Sequence, residues 1–591
     1  MRAIHHPSRK AIHRVAALSA FAVSIAIWAP TAALAGAPTG APTLRTPLVP
    51  GDLLVSSSTF QNDPGIVAGK TQLPPGCGGA NSPCGTAVTD GTYPYVFNND
   101  TVDGTFGITS KIDLDEITPL GAMFGSIEVP STQPGMTSAG DQMVTSFSSK
   151  SELALNLSPD GRYLTFMGYD APVDTADVSN ASTPGDVDPT NPTNFYYYRV
   201  VSQLGQDGKF HFTLTNAYSG DNGRAAIFND APGADVYYTA GNAGNGSNPE
   251  PKGVVTGAGA QLVTPSTQPE SAQTPGQPMP VGSFNVMKQL GYPKEKVAKD
   301  NNYRSVTVFD NVLYYAKGSG GNGVDTVYFV DPTGTACPSG SGLPVAGAGL
   351  PTTSSLTFNA SEGGSKNPGL TPQNMCILRG FPTVSAKTSD DASDYPFGMW
   401  FANADTLYLA DEGAGDNTFS PTTGGPLGEF TAAAASTTAG LQKWVFDHQT
   451  GTWNLAYTLQ SGLQLGKPYT VHGYPTGLNA GPGGTGLPWA PATGGLRNLT
   501  GRVNSDGTVT IWAVTSTVSG SGDQGADPDQ LVTITDKLGA TTLPTHESFR
   551  TLLRPKAGTV YRGVAFTPGT GTCTFPIENP TCLVGSHTHH G

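Results

Sequence analysis

Hydrophobic and polar positions alternate along this chain in short runs. Leu153, Leu155 and Leu157 alternate ahead of Ser158-Pro159-Asp160-Gly161, and Tyr163, Thr165 and Met167 alternate behind it. A period of two is that of a strand, whose successive side chains point to opposite faces. The four residues between suit a tight turn: Pro presets φ, Asp bonds back to the backbone, and Gly accepts positive φ. Together they predict a β-hairpin. The same grammar returns at Asn504-Ser505-Asp506-Gly507, between LRNLTGRV and TVTIWAV, and at Gln206-Asp207-Gly208, between FYYYRVVSQL and KFHFTLT.

A second pattern overlays the first, with Arg opening a short apolar strand. It occurs as GRAAIF (223–228), YRSVTVF (303–309), LRNLTGRV (496–503) and YRGVAF (561–566). Three of these lead into strands with aromatic alternation: DVYYTA (235–240), VLYYAKG (312–318) and TVTIWAV (508–514). FGMWFA (397–402), DTLYLAD (405–411), GLQKWVFD (440–447) and GTWNLAYTL (451–459) extend the series. Between them, 241–282, 333–375 and 466–495 are rich in Gly, Pro and Ser and predict long loops. Uneven loops on an evenly repeated strand core suit a β-propeller and not a solenoid. The expected fold is all-β, a single propeller over residues 51–572 with long Gly/Pro-rich insertions. Pairing the strands gives about seven blades (six to eight), each of roughly 65–85 residues. Ring closure should set the first strand, Asp52–Ser57, beside Gly563–Phe566, hiding two edges. The best helical candidate is short and Lys-rich, roughly Phe284 to Asp300.

Composition supports many turns. The 591 residues include 76 Gly and 49 Pro, and only 13% are charged. Residues 1–35 read as an export signal: Arg2, Arg9, Lys10 and Arg14 lead an apolar run, Val15 to Ala29, and Ala33-Leu34-Ala35 supplies a cleavage site. The run is shorter than the roughly 20 residues a span needs. The mature chain, after cleavage near Ala35, is therefore expected to be secreted or periplasmic without a membrane span. Residues 36–50 read as an extended lead-in. Losing the leader takes the net charge from −14 to −18, which gives no electrostatic reason to hold nucleic acid. An even number of cysteines in an exported chain favours disulfides. Nearest neighbours in sequence give Cys77 with Cys84, Cys337 with Cys376, and Cys573 with Cys582, the last pinning a tail over 573–591.

No reaction is named by a motif. No Ser has Gly at both flanking second positions, GIVAGKT (65–71) is one residue short of a phosphate loop, and His546-Glu547 lacks its second His. Carboxylates remain. Asp411, Glu412 and Asp416 lie in DEGAGDN at a strand end, where oxygen ligands in a Gly-permitted loop would suit Ca²⁺, and a solvated turn is the alternative. If the Arg-led strands line the axis, Arg224, Arg304, Arg497 and Arg562 would ring one mouth and bind an anion or a sugar. The plainer reading pairs each with a neighbouring blade's carboxylate. Trp400, Trp444, Trp453 and Trp512 could stack on sugars, but their place within strand alternations points to sheet packing.

SPDGRYLTFMGYD, DTLYLADEG, GLQKWVFD with GTWNLAYTL, LRNLTGRV with GTVTIWAVTS, and YRGVAFTPG resemble a group of exported bacterial β-propeller proteins. In that group a GDLLV-like first strand precedes an LDE-x-T segment, here Leu114-Asp115-Glu116-Ile117-Thr118. The likeness runs from about residue 50 to 570 with gaps at the loops, and its S-P-D-G turn is shared with TolB-like and lactonase-like propellers. It implies the fold and export, and no catalytic residue. The expected function is a binding or surface-interaction scaffold for an extracellular or periplasmic ligand. The alternatives are a Ca²⁺-assisted hydrolase or lyase of lactonase-like or phytase-like type, and a carbohydrate-binding protein.

Overall fold

The computed structural model describes residues 47–74, 85–130, 142–185, 193–242, 259–267, 282–286, 302–318, 324–337, 340–352, 357–359, 369–371, 373–384 and 394–571. The leader, the first and last cysteine pairs, and the tail lie outside the described residues.

Among the described residues the repeated hairpins form six blades arranged as a propeller: three are separate four-stranded antiparallel sheets, one belongs to a six-stranded sheet, and two share a nine-stranded sheet. Blade 1 runs outward from Thr559–Phe566 through Leu53–Thr59 and Asp113–Ile117 to Met123–Glu128. Blade 2 is built on Tyr163–Ala171, Arg199–Gly205 and Phe210–Thr215, its inner edge split between Gln142–Ser146 and Asn156–Leu157. Blade 3 starts at Gly223–Asn229, blade 4 at Tyr303–Phe309, blade 5 at Pro396–Asn403 and blade 6 at Ala492–Val503. These inner strands pack each against the next, and the last returns to the first, so the ring is closed. The outermost strands of blades 3 and 4, Gly282–Val286 and Gln373–Leu378, pair in parallel and fuse the two blades into one sheet.

The count is at the lower end of the expected range. The four Arg-led strands and FGMWFA are five of the six inner strands, and the sixth is interrupted. Leu153 has φ 60°, so the expected alternation through Leu153 and Leu155 breaks, and only Asn156–Leu157 pairs. The first and last strands lie side by side as expected, paired so that Leu53 faces Phe566 and Thr59 faces Thr559. Beyond the ladder, Thr567 N donates to Asp52 O at 2.9 Å and Gly51 N to Thr570 Oγ1 at 2.7 Å. The expected helix from Phe284 begins instead as strand Gly282–Val286, and 287–301 lie outside the described residues. Pairing with Ala260–Val263 overrides the local helical preference there.

The core is not a single centre but a set of layers between blades. Leu53, Val55, Ile117, Trp512, Val514 and Val564 fill the layer between blades 6 and 1; Met167, Val201, Phe228 and Tyr237 fill that between 2 and 3. Inner and second strands are therefore buried on both faces, which explains why Gly223–Asn229 and Thr406–Asp411 are buried throughout. Trp444, Trp453 and Trp512 belong to these layers, and Trp400 covers Gly501, where a Cβ would lie 2.6 Å from the ring. Sheet packing is their role. Cys337 and Cys376 are disulfide-bonded, tying the fourth strand of blade 4 to the loop after its third. Closing 39 residues restricts the unfolded chain enough to add about 4 kcal/mol.

Candidate functional site

The two ends of the propeller differ. Tight turns gather at one: Ser158–Gly161, Gln206–Gly208, Asp310–Asn311, Asp447–Gly451 and Asn504–Gly507 each join neighbouring strands of a blade. At the other end the same strands are linked by long connections, among them 60–112, 172–198, 412–439 and 519–530. Register places the starts of the inner strands at this long-loop end, Pro396 opposite Asp411 and Leu496 opposite Thr515.

Each Arg of the repeated strands is skipped by its ladder. Pairing passes from Gly223 to Ala225, from Tyr303 to Ser305, from Leu496 to Leu499, and from Tyr561 to Gly563. Such bulges re-aim a side chain. In blade 5 the skipped residues are Phe397 and Gly398, and in blade 2 the split edge supplies Lys150, Ser151 and Glu152. All four Arg are buried.

Three cations meet Glu412. Arg497 Nε lies 3.3 Å from Oε2, Arg304 Nη2 3.4 Å from Oε1, and Lys150 Nζ 4.0 Å from Oε2. Burial alone would raise the Glu412 pKa, but Lys150, Arg304 and Arg497 hold it down at about 2, so it is ionised. Arg304 also reaches Ser151 Oγ and lies over the Phe397 ring. Arg562 donates to Phe147 O at 2.7 Å and to Gly525 O, with Asp529 3.8 Å away. Arg224 bonds Asn302 Oδ1 and Tyr303 O. Burial lowers Arg224 to about 9 and Arg562 to about 10, still protonated at neutral pH. Two of the four guanidiniums thus share one carboxylate from blade 5, a third is paired with Asp529 near the end of blade 6, and Arg224 is held by neutral oxygens. Lys150 is the group that reaches out, its side chain 39% exposed.

Asp411, Glu412 and Asp416 do not share a focus. Asp411 is buried and accepts from Tyr395 N, Gly413 N and Gln442 Nε2, while Asp416 is exposed and bonds the Thr418 N–H and hydroxyl. Among the described residues, no three His, Cys, Asp or Glu side chains converge as metal ligands would. Lys150 and Glu152 were missed from the sequence; the polar run SSKSE breaking an apolar alternation was the available signal. A cleft of about 370 Å³ was missed too, lined by residues of blade 6 and by Pro119 and Leu120 of blade 1. Leu120, Arg502, His546, Glu547 and Arg550 line it, with Trp512 beneath Arg502.

The buried acids fix a pH dependence. Burial raises Asp411 and Asp527 to about 7. Between the unfolded value near 4 and that folded value, the native chain holds a proton the unfolded chain has lost, so stability falls by about 1.4 kcal/mol per pH unit for each group. Glu412 acts oppositely, contributing above its unfolded value and losing its effect only as pH falls towards about 2. The melting temperature in EDTA is therefore expected to be higher at pH 5 than at pH 8; an equal or higher value at pH 8 contradicts this.

No family model and no curated protein matches the chain. Among solved structures, a polysaccharide lyase of family PL25, an ulvan lyase, is 12% identical over 77% of this chain and 89% of its own, with a TM-score of 0.26. A chain of an S. cerevisiae assembly of Dbp5 with Nup159 and Gle1 is 9% identical over 74% and 98%, with a TM-score of 0.20. Neither likeness bears on activity, and the propeller stands on the strand pairing itself. Among the described residues no helix is long and apolar enough to cross a membrane.

Proposed function

We propose that the mature chain is an exported binding scaffold that meets its ligand at the long-loop end of the propeller. The observation that carries this reading is the segregation of connections: tight turns at one end, extended loops at the other. Rigid blades hold such loops in fixed relation, and loops so held are where contacts are made. Beneath them the clamp on Glu412 fixes the mouth of the axis, with Lys150 facing solvent.

A carbohydrate ligand is favoured by Tyr95, Phe195 and Tyr196, which are 42%, 46% and 51% exposed on these loops. Aromatic faces left open to solvent suit sugar rings. The hydrolase or lyase reading needs a carboxyl open at the axis, whereas Asp411 and Glu412 are both buried and engaged.

The test is a panel of acidic and neutral polysaccharides run in affinity electrophoresis. A Phe195→Ala/Tyr196→Ala double variant is expected to bind about tenfold more weakly than wild type. A tight-turn control, Asp506→Ser, should bind as wild type. Undiminished binding by the double variant, or loss in the control, would move the site elsewhere.

A further inference from the structure

Two loops at the long-loop end bring a pair of buried carboxylates together. Asp103 follows the helical turn Tyr95–Thr101 and is 8% exposed; Asp177 lies in the connection after Tyr163–Ala171 and is 1% exposed. Thr105 donates to one Asp103 oxygen, its N–H at 3.2 Å and its hydroxyl at 2.9 Å. Among the described residues the other Asp103 oxygen and both Asp177 oxygens meet no donor of ordinary hydrogen-bond geometry. Asp177 is directed at Asp103: burial first, then the charge and contact of Asp103, raise its pKa well above the usual range, against a smaller opposing pull from the Gly107 amide. Among the described residues no cationic side chain contributes to this shift.

The backbone does not let the pair separate. Asp177 N donates to Gly107 O at 2.8 Å, Thr109 N to Thr175 O at 3.0 Å, and Asp174 N to Thr109 O at 3.0 Å. Asn180 Nδ2 reaches Thr105 Oγ1 at 2.6 Å. Asp177 itself has φ 58° and ψ 32°, a left-handed conformation that costs a non-glycine residue about 1 kcal/mol or more. Nearby Asp100 adds to the negative field; burial, Asp523 and Asp103 raise it to about 7. Two desolvated carboxylates held in contact, three of their four oxygens without a donor of ordinary geometry among the described residues, favour a positive charge between them.

We propose that Asp103 and Asp177 bind a divalent cation of the calcium type. The donors are oxygens only, on irregular loops, which suits a hard cation of flexible coordination and not zinc. With two carboxylates, the remaining positions fall to backbone carbonyls and water, and the affinity expected is that of extracellular calcium modules, on the order of 0.1–1 mM. The ion would join the long connections of blades 1 and 2.

The test uses the purified full chain, stripped with EDTA and titrated with CaCl₂ to about 10 mM, tenfold above that range, with MgCl₂ and NaCl as controls. A saturable rise in melting temperature with Ca²⁺ is expected for wild type and is expected to vanish in Asp177→Asn. In EDTA the Asn variant should be at least as stable as wild type, because one buried charge is gone, so the order of the two reverses on adding Ca²⁺. No saturable rise in wild type, or the same rise in Asp177→Asn, overturns the site and leaves a shared proton in its place. Should that variant not fold, Asp103→Asn takes its place, and equilibrium dialysis of wild type at 1 mM calcium decides alone: a Kd of about 0.1–1 mM fills about half to nine-tenths of one site, so about half a bound ion per chain or more supports the proposal and less overturns it.

Discussion

Deleting residues 559–591 is expected to leave a chain that does not reach the native state. The deletion removes the inner strand of blade 1, which pairs with Leu53–Thr59 along its whole length. With it go Val560, Tyr561, Val564 and Phe566 from the interblade layers, each worth about 1.5–3 kcal/mol when fully buried. Arg562 and its bonds to Phe147 and Gly525 also go. The sum is comparable with the roughly 5–15 kcal/mol by which ordinary domains are stable. It would leave Leu53–Thr59 as a bare edge, a template for association with other chains. Near-UV circular dichroism should be lost and light scattering should rise. A truncated chain that melts cooperatively at the wild-type temperature would show that the ring does not depend on its closing strand.

The second large effect is expected at a pair far from the axis. Lys443 and Asp536 are wholly buried between blades 5 and 6, with Nζ 2.9 Å from Oδ2. Lys443 also donates to the Lys537 and Leu538 carbonyls, each at 2.8 Å, and Asp536 accepts from the Tyr408 and Tyr457 hydroxyls. Replacing Lys443 by Met keeps the volume and removes the charge, so Asp536 stays buried without its cation. The cost should be about 3–5 kcal/mol, read as a lower urea midpoint at unchanged slope. Adding Asp536→Asn should recover part of the loss, because the orphaned charge is then gone. A single variant within about 1 kcal/mol of wild type would mean that the two tyrosines suffice, given that ordinary surface substitutions fall within ±0.5.

Local chemistry was legible in the sequence, and long-range pairing was not. Gly161 and Gly507 have φ of 77° and 80°, as the turn grammar required, because a tight turn depends only on its own few residues. Repetition of the Arg identified four inner strands, since the same place in each blade meets the same surroundings. The bulges that aim those Arg inward follow from register, which no single strand contains. Glu412 shows the limit most plainly. Read alone it was either a calcium ligand beside Asp411 and Asp416 or part of a solvated turn; in the fold its oxygens go to Arg304 and Arg497, which arrive from the blades on either side. Lys443 was hidden for the same reason, sitting in an apolar run whose meaning depends on Asp536 in the next blade.

Because the first and last strands of the described residues are stitched into one blade, the circle has no intrinsic starting point. Linking Gly571 back to Pro47 and cutting within Asn504–Gly507 would give a circular permutant with the same six blades, its seam moved from blade 1 to blade 6. What the architecture stores is the cyclic order of its blades, and the site of the termini is a free choice that leaves the long loops untouched.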